Sequence, residues 1–239
     1  MTGDVDSPFW WSDSTGDVHV AFTSVGAGNL GTHVGNAQQA LANRRRLAAH
    51  LSAHGAPPRF LNQVHSTDIV DADASIEAMP TGDGWVSTTG QPVAVLVADC
   101  LPVLFAAAGP DGRRITAAAH AGRPGLLAGV LESTATAMLD RGAAGITAWI
   151  GPGACGSCYE VPEEMLDAVS VDRPNIVSRT SWGTAALDLR AEARTVLEAA
   201  GAAVVDVPGC TIEDPQLFSH RRSQRTAEPQ GRIAGVVWC

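Results

Sequence analysis

Val93 to Gly125 reads VAVLVADCLPVLFAAAGPDGRRITAAAHAGRPG, and the parsing of this stretch decides the fold. Two apolar runs, Val93–Ala98 and Val103–Ala108, flank Asp99-Cys100-Leu101-Pro102. A third, Ile115–Ala119, leads into His120 and then Ala121-Gly122-Arg123-Pro124-Gly125. Short runs rich in β-branched residues and bounded by Gly or Pro have the character of buried strands. Cys100 and His120 are thereby placed at strand ends, where a rigid sheet presents reactive side chains to loops.

Working outward, Val18–Ser24 alternates as a strand does and runs into Gly26-Ala27-Gly28-Asn29-Leu30-Gly31. That hexamer matches GxGxxG, but a dinucleotide fingerprint needs a helix opening in the glycines and an acidic residue ~20 positions on. The helical pattern starts only near Ala37, and no Asp or Glu occurs between Asp17 and Asp68. The dinucleotide reading fails. Helices are expected over Ala37–Ala53, Leu126–Asp140, Pro162–Val169 and Leu187–Ala200. Strands are expected over Arg59–Val64, Asp68–Asp71, Gly84–Ser87, Ile146–Ile150, Val204–Val207 and Ile233–Trp238, with Ser219–Arg232 a polar loop. Several strands lie too close in sequence for helical crossovers, so the sheets must be mixed. The expected fold is α+β, a single compact domain of mixed β-sheets with flanking helices over residues 1–239, with roughly 1–17 an N-terminal extension.

Composition narrows the function. With 45% apolar and 17% charged residues the chain is an ordinary globular one. Every basic residue is Arg, which excludes lysine-nucleophile and Schiff-base chemistry. A formal charge of -9 argues against nucleic-acid binding, which needs a basic surface to displace counterions. Local convergence of a few Arg would still suit an anionic small molecule. The start, MTGDVDSPFWW, has no basic region followed by an apolar one, so no secretory signal is read there. The longest apolar stretch is interrupted by Asp99 and Pro102 and is too short for a bilayer. Five cysteines, an odd number, suit free thiols in a reducing compartment; a cytoplasmic protein without membrane contact is expected.

The chemistry-bearing residues converge on strand ends. His65 closes the Arg59–Val64 run, and with Cys100 and His120 it supplies one Cys and two His. Three such ligands with a fourth position open form a catalytic zinc set. Their spacing of 35 and 20 residues matches no local zinc motif. Two alternatives therefore stand: Cys100 as a nucleophile with His120 as base, or Cys100 as a small buried apolar residue. Asp99 faces away from Cys100 if the strand is regular, as a structural acceptor; acid–base work opens to it only if the strand breaks there. Cys155-Gly156-Ser157-Cys158 lacks a second CxxC to complete a zinc ribbon, and reads as a glycine-rich turn with a thiol pair as the lesser alternative. His50 and His54 have metal-pair spacing but no HExxH glutamate, and sit where a helix end favours His. Arg221, Arg222, Arg225 and Arg232 form the densest charge cluster, either solvated or a phosphate clamp.

Taken in order, Asn62-Gln63-Val64-His65, Ala98-Asp99-Cys100-Leu101-Pro102, His120-Ala121-Gly122, Gly151-Pro152 with Cys158-Tyr159-Glu160-Val161, and Ser219-His220-Arg221-Arg222 with Gly231-Arg232 form one pattern. Leu30-Gly31 with Asn43-Arg44 and Leu187-Asp188-Leu189 extend it. The pattern resembles the bacterial laccase-domain family, also called the peptidoglycan editing factor family. The resemblance implies a metal centre on His65, Cys100 and His120, holding zinc, with copper the alternative. It implies phosphorolysis of adenosine, inosine and methylthioadenosine and deamination of adenosine, hence a purine nucleoside and phosphate as partners. For that chemistry Arg123, Arg221 and Arg222 are the phosphate candidates, and Asp99 and Glu160 the acid–base candidates. Older family descriptions have copper-dependent polyphenol oxidation, yet seven scattered His cannot supply several copper centres. A Cys-His hydrolase or amidase editing peptidoglycan precursors, and a binding protein without turnover, complete the alternatives. Two departures matter: the family's HAGWRG is His120-Ala121-Gly122-Arg123-Pro124-Gly125 here, and the spacing from Arg221-Arg222 to Gly231-Arg232 is longer than the family's usual one. Nothing in the sequence signals an oligomeric state.

Overall fold

A computed structural model describes residues 7–51 and 56–239. Its strands run in chain order as β1 Phe9–Thr15, β2 Val18–Thr23, β3 Ile69–Asp71, β4 Gly84–Ser87, β5 Val93–Val97 and β6 Leu101–Ala108. They continue as β7 Arg114–Ala121, β8 Ala144–Ile150, β9 Val177–Arg179, β10 Ala185–Leu187, β11 Ala203–Asp206 and β12 Ile233–Trp238. The helices are α1 Ala37–His50, α2 Arg123–Ala128, α3 Val130–Leu139, α4 Glu163–Ser170, α5 Leu189–Ala199 and α6 His220–Arg225.

Two sheets carry the architecture. One has four strands in the order β1-β2-β12-β5, all antiparallel. The other has six, in the order β11-β8-β6-β7-β4-β3, with parallel pairs β11–β8 and β3–β4 at its edges and antiparallel pairs between. The expected mixed α+β architecture is therefore present.

Alternation along the central strands sets the layers. In β6, Leu104 and Ala106 join Phe22, Val93, Val95 and Trp85 between the two sheets. Val103, Phe105 and Ala107 of the same strand face Leu126, Leu131 and Leu197 of the helices. In β5, Ala94 and Leu96 face Leu47 of α1. The result is four layers: α1, the four-stranded sheet, the six-stranded sheet, and helices α2 to α5. Strands buried on both faces read as unbroken apolar runs, which is why this block was recognisable.

Several boundaries differ from expectation. Arg59–Val64 makes only the isolated bridges Arg59–Val93 and Asn62–Thr81, because polar Asn62 and Gln63 turn their side chains to backbone and loop partners. The Leu126–Asp140 helix starts earlier, at Arg123, and breaks at Gly129, whose φ of 101° only glycine adopts readily. Within the polar stretch Ser219–Arg232 lies α6, capped by the Ser219 hydroxyl accepting from Arg222 N–H at 3.0 Å. Phe9–Thr15, in the stretch set apart as an extension, forms edge strand β1. The first six residues, Ala53 and His54 lie outside the described residues. Among the described residues no helix is long and apolar enough to cross a membrane.

Candidate metal centre and cleft

β5 and β6 belong to different sheets, so the chain changes sheet at Ala98-Asp99-Cys100. Asp99 makes that turn with φ 87°, and His65 has φ 61°. Both are non-glycine residues in the left-handed region, a strain that persists only where surrounding contacts fix it. The break at Asp99 frees Cys100 from strand alternation and aims it at His65 and His120. Donor atoms of His65, Cys100 and His120 all lie within 4.8 Å of one another. Cys100 Sγ is 3.8 Å from His65 Nε2, and the two imidazoles meet edge to face at 4.7 Å between centroids. The three sequence candidates are thus brought together.

Gly122 is the floor of this cluster. A Cβ there would sit 2.4 Å from His65 Cδ2, 2.8 Å from Nε2 and 3.0 Å from Cys100 Sγ. Only a residue without a side chain lets the donors converge over it.

Asp83 is the residue that sequence reasoning missed. It is fully buried, and its Oδ1 lies 2.7 Å from His120 Nδ1. Its Oδ2 accepts from the N–H groups of Val64 at 3.1 Å and Ser66 at 2.6 Å, and from the Ser66 hydroxyl at 3.0 Å. One carboxylate therefore holds His120 directly and the turn carrying His65 through its backbone. With Nδ1 engaged, His120 presents Nε2 to the cluster, the carboxylate–histidine arrangement that orients metal-ligating imidazoles. Burial raises the Asp83 pKa, but the His120 contact and the N–H donors hold it at about 2. Burial likewise pushes the Cys100 thiol up, and His120 and His65 outweigh it, bringing it to about 6. A thiolate flanked by two imidazoles is a donor set suited to zinc or copper.

Asp99 has both carboxylate oxygens engaged, with the Thr211 hydroxyl at 2.7 Å and the Arg221 N–H at 2.7 Å. That is the structural-acceptor role, attained even though the strand does break. Arg221 stacks its guanidinium 4.5 Å over Tyr159 and donates to the Glu160 carbonyl. Arg222 donates to the carbonyls of Thr211, Asp214 and Leu217 and pairs with Glu228 at 2.6 Å. Arg123 is the first residue of α2, directly after Gly122, and Glu160 pairs with Arg225 at 3.8 Å.

A cleft of about 360 Å³ adjoins the triad, and none of Arg123, Arg221, Arg222, Asp99 or Glu160 lines it. The arginines in its wall are Arg44 and Arg232, together with His33 and His220. Arg44 donates to the Leu30 carbonyl at 2.8 Å and lies 3.9 Å over the Phe60 ring. Arg232 donates to the Gly231 carbonyl at 2.8 Å. Neither has a carboxylate partner among the described residues. Burial lowers Arg44 to about 10 and lowers Arg232, where Cys100 and Asp99 act in the opposite sense. His33 is lowered by burial first and then by Arg232 and Arg44. Partly buried cations without counter-ions are costly, and a cleft lined by two of them is complementary to an anion. Arg44 and Arg232 both stood in the sequence pattern, but which arginine turns inward is set by tertiary packing.

A Streptomyces griseus protein named purine nucleoside phosphorylase is 42% identical over 243 residues, covering 94% of this chain and 95% of its own. A Pseudomonas aeruginosa protein of the same name is 37% identical over 219 residues, covering 88% of this chain and 85% of its own. Among solved structures, a Neisseria meningitidis protein superposes with a TM-score of 0.81 at 32% identity, covering 97% of this chain and 99% of its own. YlmD from Geobacillus stearothermophilus gives 0.77 at 27% identity, covering 97% and 98%. The family model described as multi-copper polyphenol oxidoreductase laccase matches residues 14–239, and the chain belongs to that family.

Proposed function

We propose that this protein is a purine nucleoside phosphorylase that binds phosphate against Arg44 and Arg232 and the nucleoside beside His65, Cys100 and His120. The observation that carries the reading is the pair of partly buried arginines lining the cleft without carboxylate partners. The relatives named purine nucleoside phosphorylase support the same class.

In phosphorolysis a phosphate oxygen forms a bond to C1′ of the ribose as the bond from C1′ to the purine nitrogen breaks. The bonding electrons leave with the purine, which takes up a proton, and ribose 1-phosphate remains. Arg44 and Arg232 supply fixed donors that hold the phosphate and offset its charge as it approaches the sugar. His33, lowered by burial and by both arginines, donates to or accepts from the phosphate without adding a third positive charge at neutral pH. His220, at the rim of the cleft, is the candidate donor of the proton to the departing purine. Adenosine, inosine and methylthioadenosine share the purine leaving group and the glycosidic carbon, so one arrangement serves all three.

His65, Cys100 and His120 would hold zinc, which supplies Lewis-acid polarisation of a substrate oxygen or of water. Asp83 orients His120 for that role, and Asp99 is a positioning residue that fixes the turn before Cys100 and the start of α6. The same three ligands suit hydrolytic deamination of adenosine, a second activity at this cleft, with His220 rather than a carboxylate moving protons. The test is kinetic. Arg44→Ala and Arg232→Ala should each raise the KM for phosphate by about tenfold or more, as expected for loss of a charge-assisted contact. The KM for inosine should move far less; an unchanged phosphate KM in both variants would contradict the assignment.

A further inference from the structure

The CxxC motif found no use in the cleft, and the fold gives it a partner the sequence conceals. Cys155 and Cys158 meet Cys210 and Glu213, with donor atoms all within 4.8 Å of one another. The two contributing segments have the same spacing, C-x-x-C and C-x-x-E, and the same local form. Cys158 N–H and Tyr159 N–H both donate to the Cys155 carbonyl, at 3.0 and 2.9 Å. Glu213 N–H and Asp214 N–H both donate to the Cys210 carbonyl, at 3.2 and 2.9 Å. Each turn thereby brings its first and fourth residues to one side. A parallel bridge clamps the turns together: Gly153 N–H donates to the Gly209 carbonyl at 3.2 Å, and Thr211 N–H to the Gly153 carbonyl at 3.1 Å.

We propose that Cys155, Cys158, Cys210 and Glu213 form a second, structural zinc site, independent of the His65–Cys100–His120 triad. Four donors from two paired turns complete a tetrahedral set and leave no open position, which distinguishes a structural from a catalytic zinc. Three sulfurs with one carboxylate also favour zinc over magnesium or calcium, which take oxygen ligands. The carboxylate of Glu213 has no arginine partner among the described residues; its side-chain neighbours are the cysteine sulfurs, Cys155 Sγ at 4.0 Å among them. Without a cation the four groups hold one another only through weak sulfur contacts.

A redox CxxC fits less well. No helix starts at the motif, α4 beginning only at Glu163, and a Cys155–Cys158 disulfide would leave Cys210 and the Glu213 carboxylate unmatched. The site would also serve the cleft at one remove. Ala154 N–H donates to the Asp99 carbonyl at 2.8 Å, and the Thr211 hydroxyl donates to the Asp99 carboxylate at 2.7 Å. Fastening residues 153–158 to 209–213 fixes both supports of the turn that delivers Cys100.

The test uses full-length protein purified with zinc present and without chelator. A Cys100→Ser/His120→Ala variant, its triad disabled, should retain about one zinc per chain after dialysis. Adding Cys155→Ser/Cys210→Ser should remove it. Cobalt loaded into the triad-disabled variant should give the charge-transfer and intense visible bands of a tetrahedral thiolate site. If those substitutions unfold the chain, alkylation mapping of wild type decides: Cys155, Cys158 and Cys210 should be protected until a strong chelator is added. Zinc absent from the folded triad-disabled variant, zinc that survives loss of Cys155 and Cys210, a disulfide between any of the three cysteines, or alkylation equal with and without chelator would overturn the proposal.

Discussion

Asp83 meets His120 Nδ1 at 2.7 Å with one carboxylate oxygen and gathers the N–H groups of Val64 and Ser66 with the other. A single buried acid thus sets the orientation of one candidate ligand and the backbone of the turn bearing another. Asp83→Asn should weaken zinc binding by about 10- to 100-fold, the usual effect of losing the partner of a ligating histidine. Asp83→Ala should also lower stability by about 1–3 kcal/mol, because buried His120 and the partly buried N–H donors of Val64 and Ser66 lose their acceptor. Chelator competition and denaturant unfolding check the two effects separately.

Gly122→Ala isolates donor convergence from folding. Gly122 has φ −70° and ψ 158°, which alanine adopts freely, so the backbone imposes no penalty. The added methyl would stand 2.4 Å from His65 and 3.0 Å from Cys100, and His65 must swing away. The variant should fold, lose zinc from the triad and lose turnover, while the Cys155–Cys158–Cys210–Glu213 site keeps its metal. Circular dichroism with metal analysis checks it; a triad that still binds zinc normally would contradict the geometry described.

The zinc-free protein should show an unusually acidic Cys100. Burial acts to raise its pKa, and the neighbouring His120 and His65 bring it to about 6. Only the thiolate is alkylated, so reaction should be near its plateau at pH 7 and fall as pH drops through about 6. His120→Ala removes the largest lowering influence and should move the midpoint up. Alkylation rates read by peptide mass spectrometry give the profile.

His33 reports on the anion site. Burial, then Arg232 and Arg44, hold its pKa below the ordinary value, so it is neutral at neutral pH. A bound phosphate offsets the two cations and should raise the His33 midpoint. Arg232→Ala should raise it without phosphate. Both shifts are upward and are measured by NMR titration of the imidazole.

Much of the framework was legible in the sequence because β5 to β8 and β12 are buried runs whose composition betrays them. Cys100 and His120 were legible because strand ends are where such runs stop, whereas His65 was reached from a run that forms only isolated bridges. α6 was not, since six polar residues have no apolar period and depend on the Ser219 cap. Arg44 stands in Arg44-Arg45-Arg46, and its place over Phe60 depends on how α1 rotates against the sheet. Asp83, between two glycines, has no spacing signature; its role exists only because β4 pairs with β7 and brings it to His120. Glu213 escaped for a similar reason: a C-x-x-E turn becomes a ligand pair only when a C-x-x-C turn is set beside it.

The central claim is that the cleft beside the triad carries out phosphorolysis. The most direct measurement is product analysis of zinc-replete protein given inosine, with and without phosphate. Hypoxanthine and ribose 1-phosphate should form in equal amounts, at a rate that rises with phosphate and vanishes without it. Free ribose in place of ribose 1-phosphate, or no conversion at any phosphate concentration, would contradict the account.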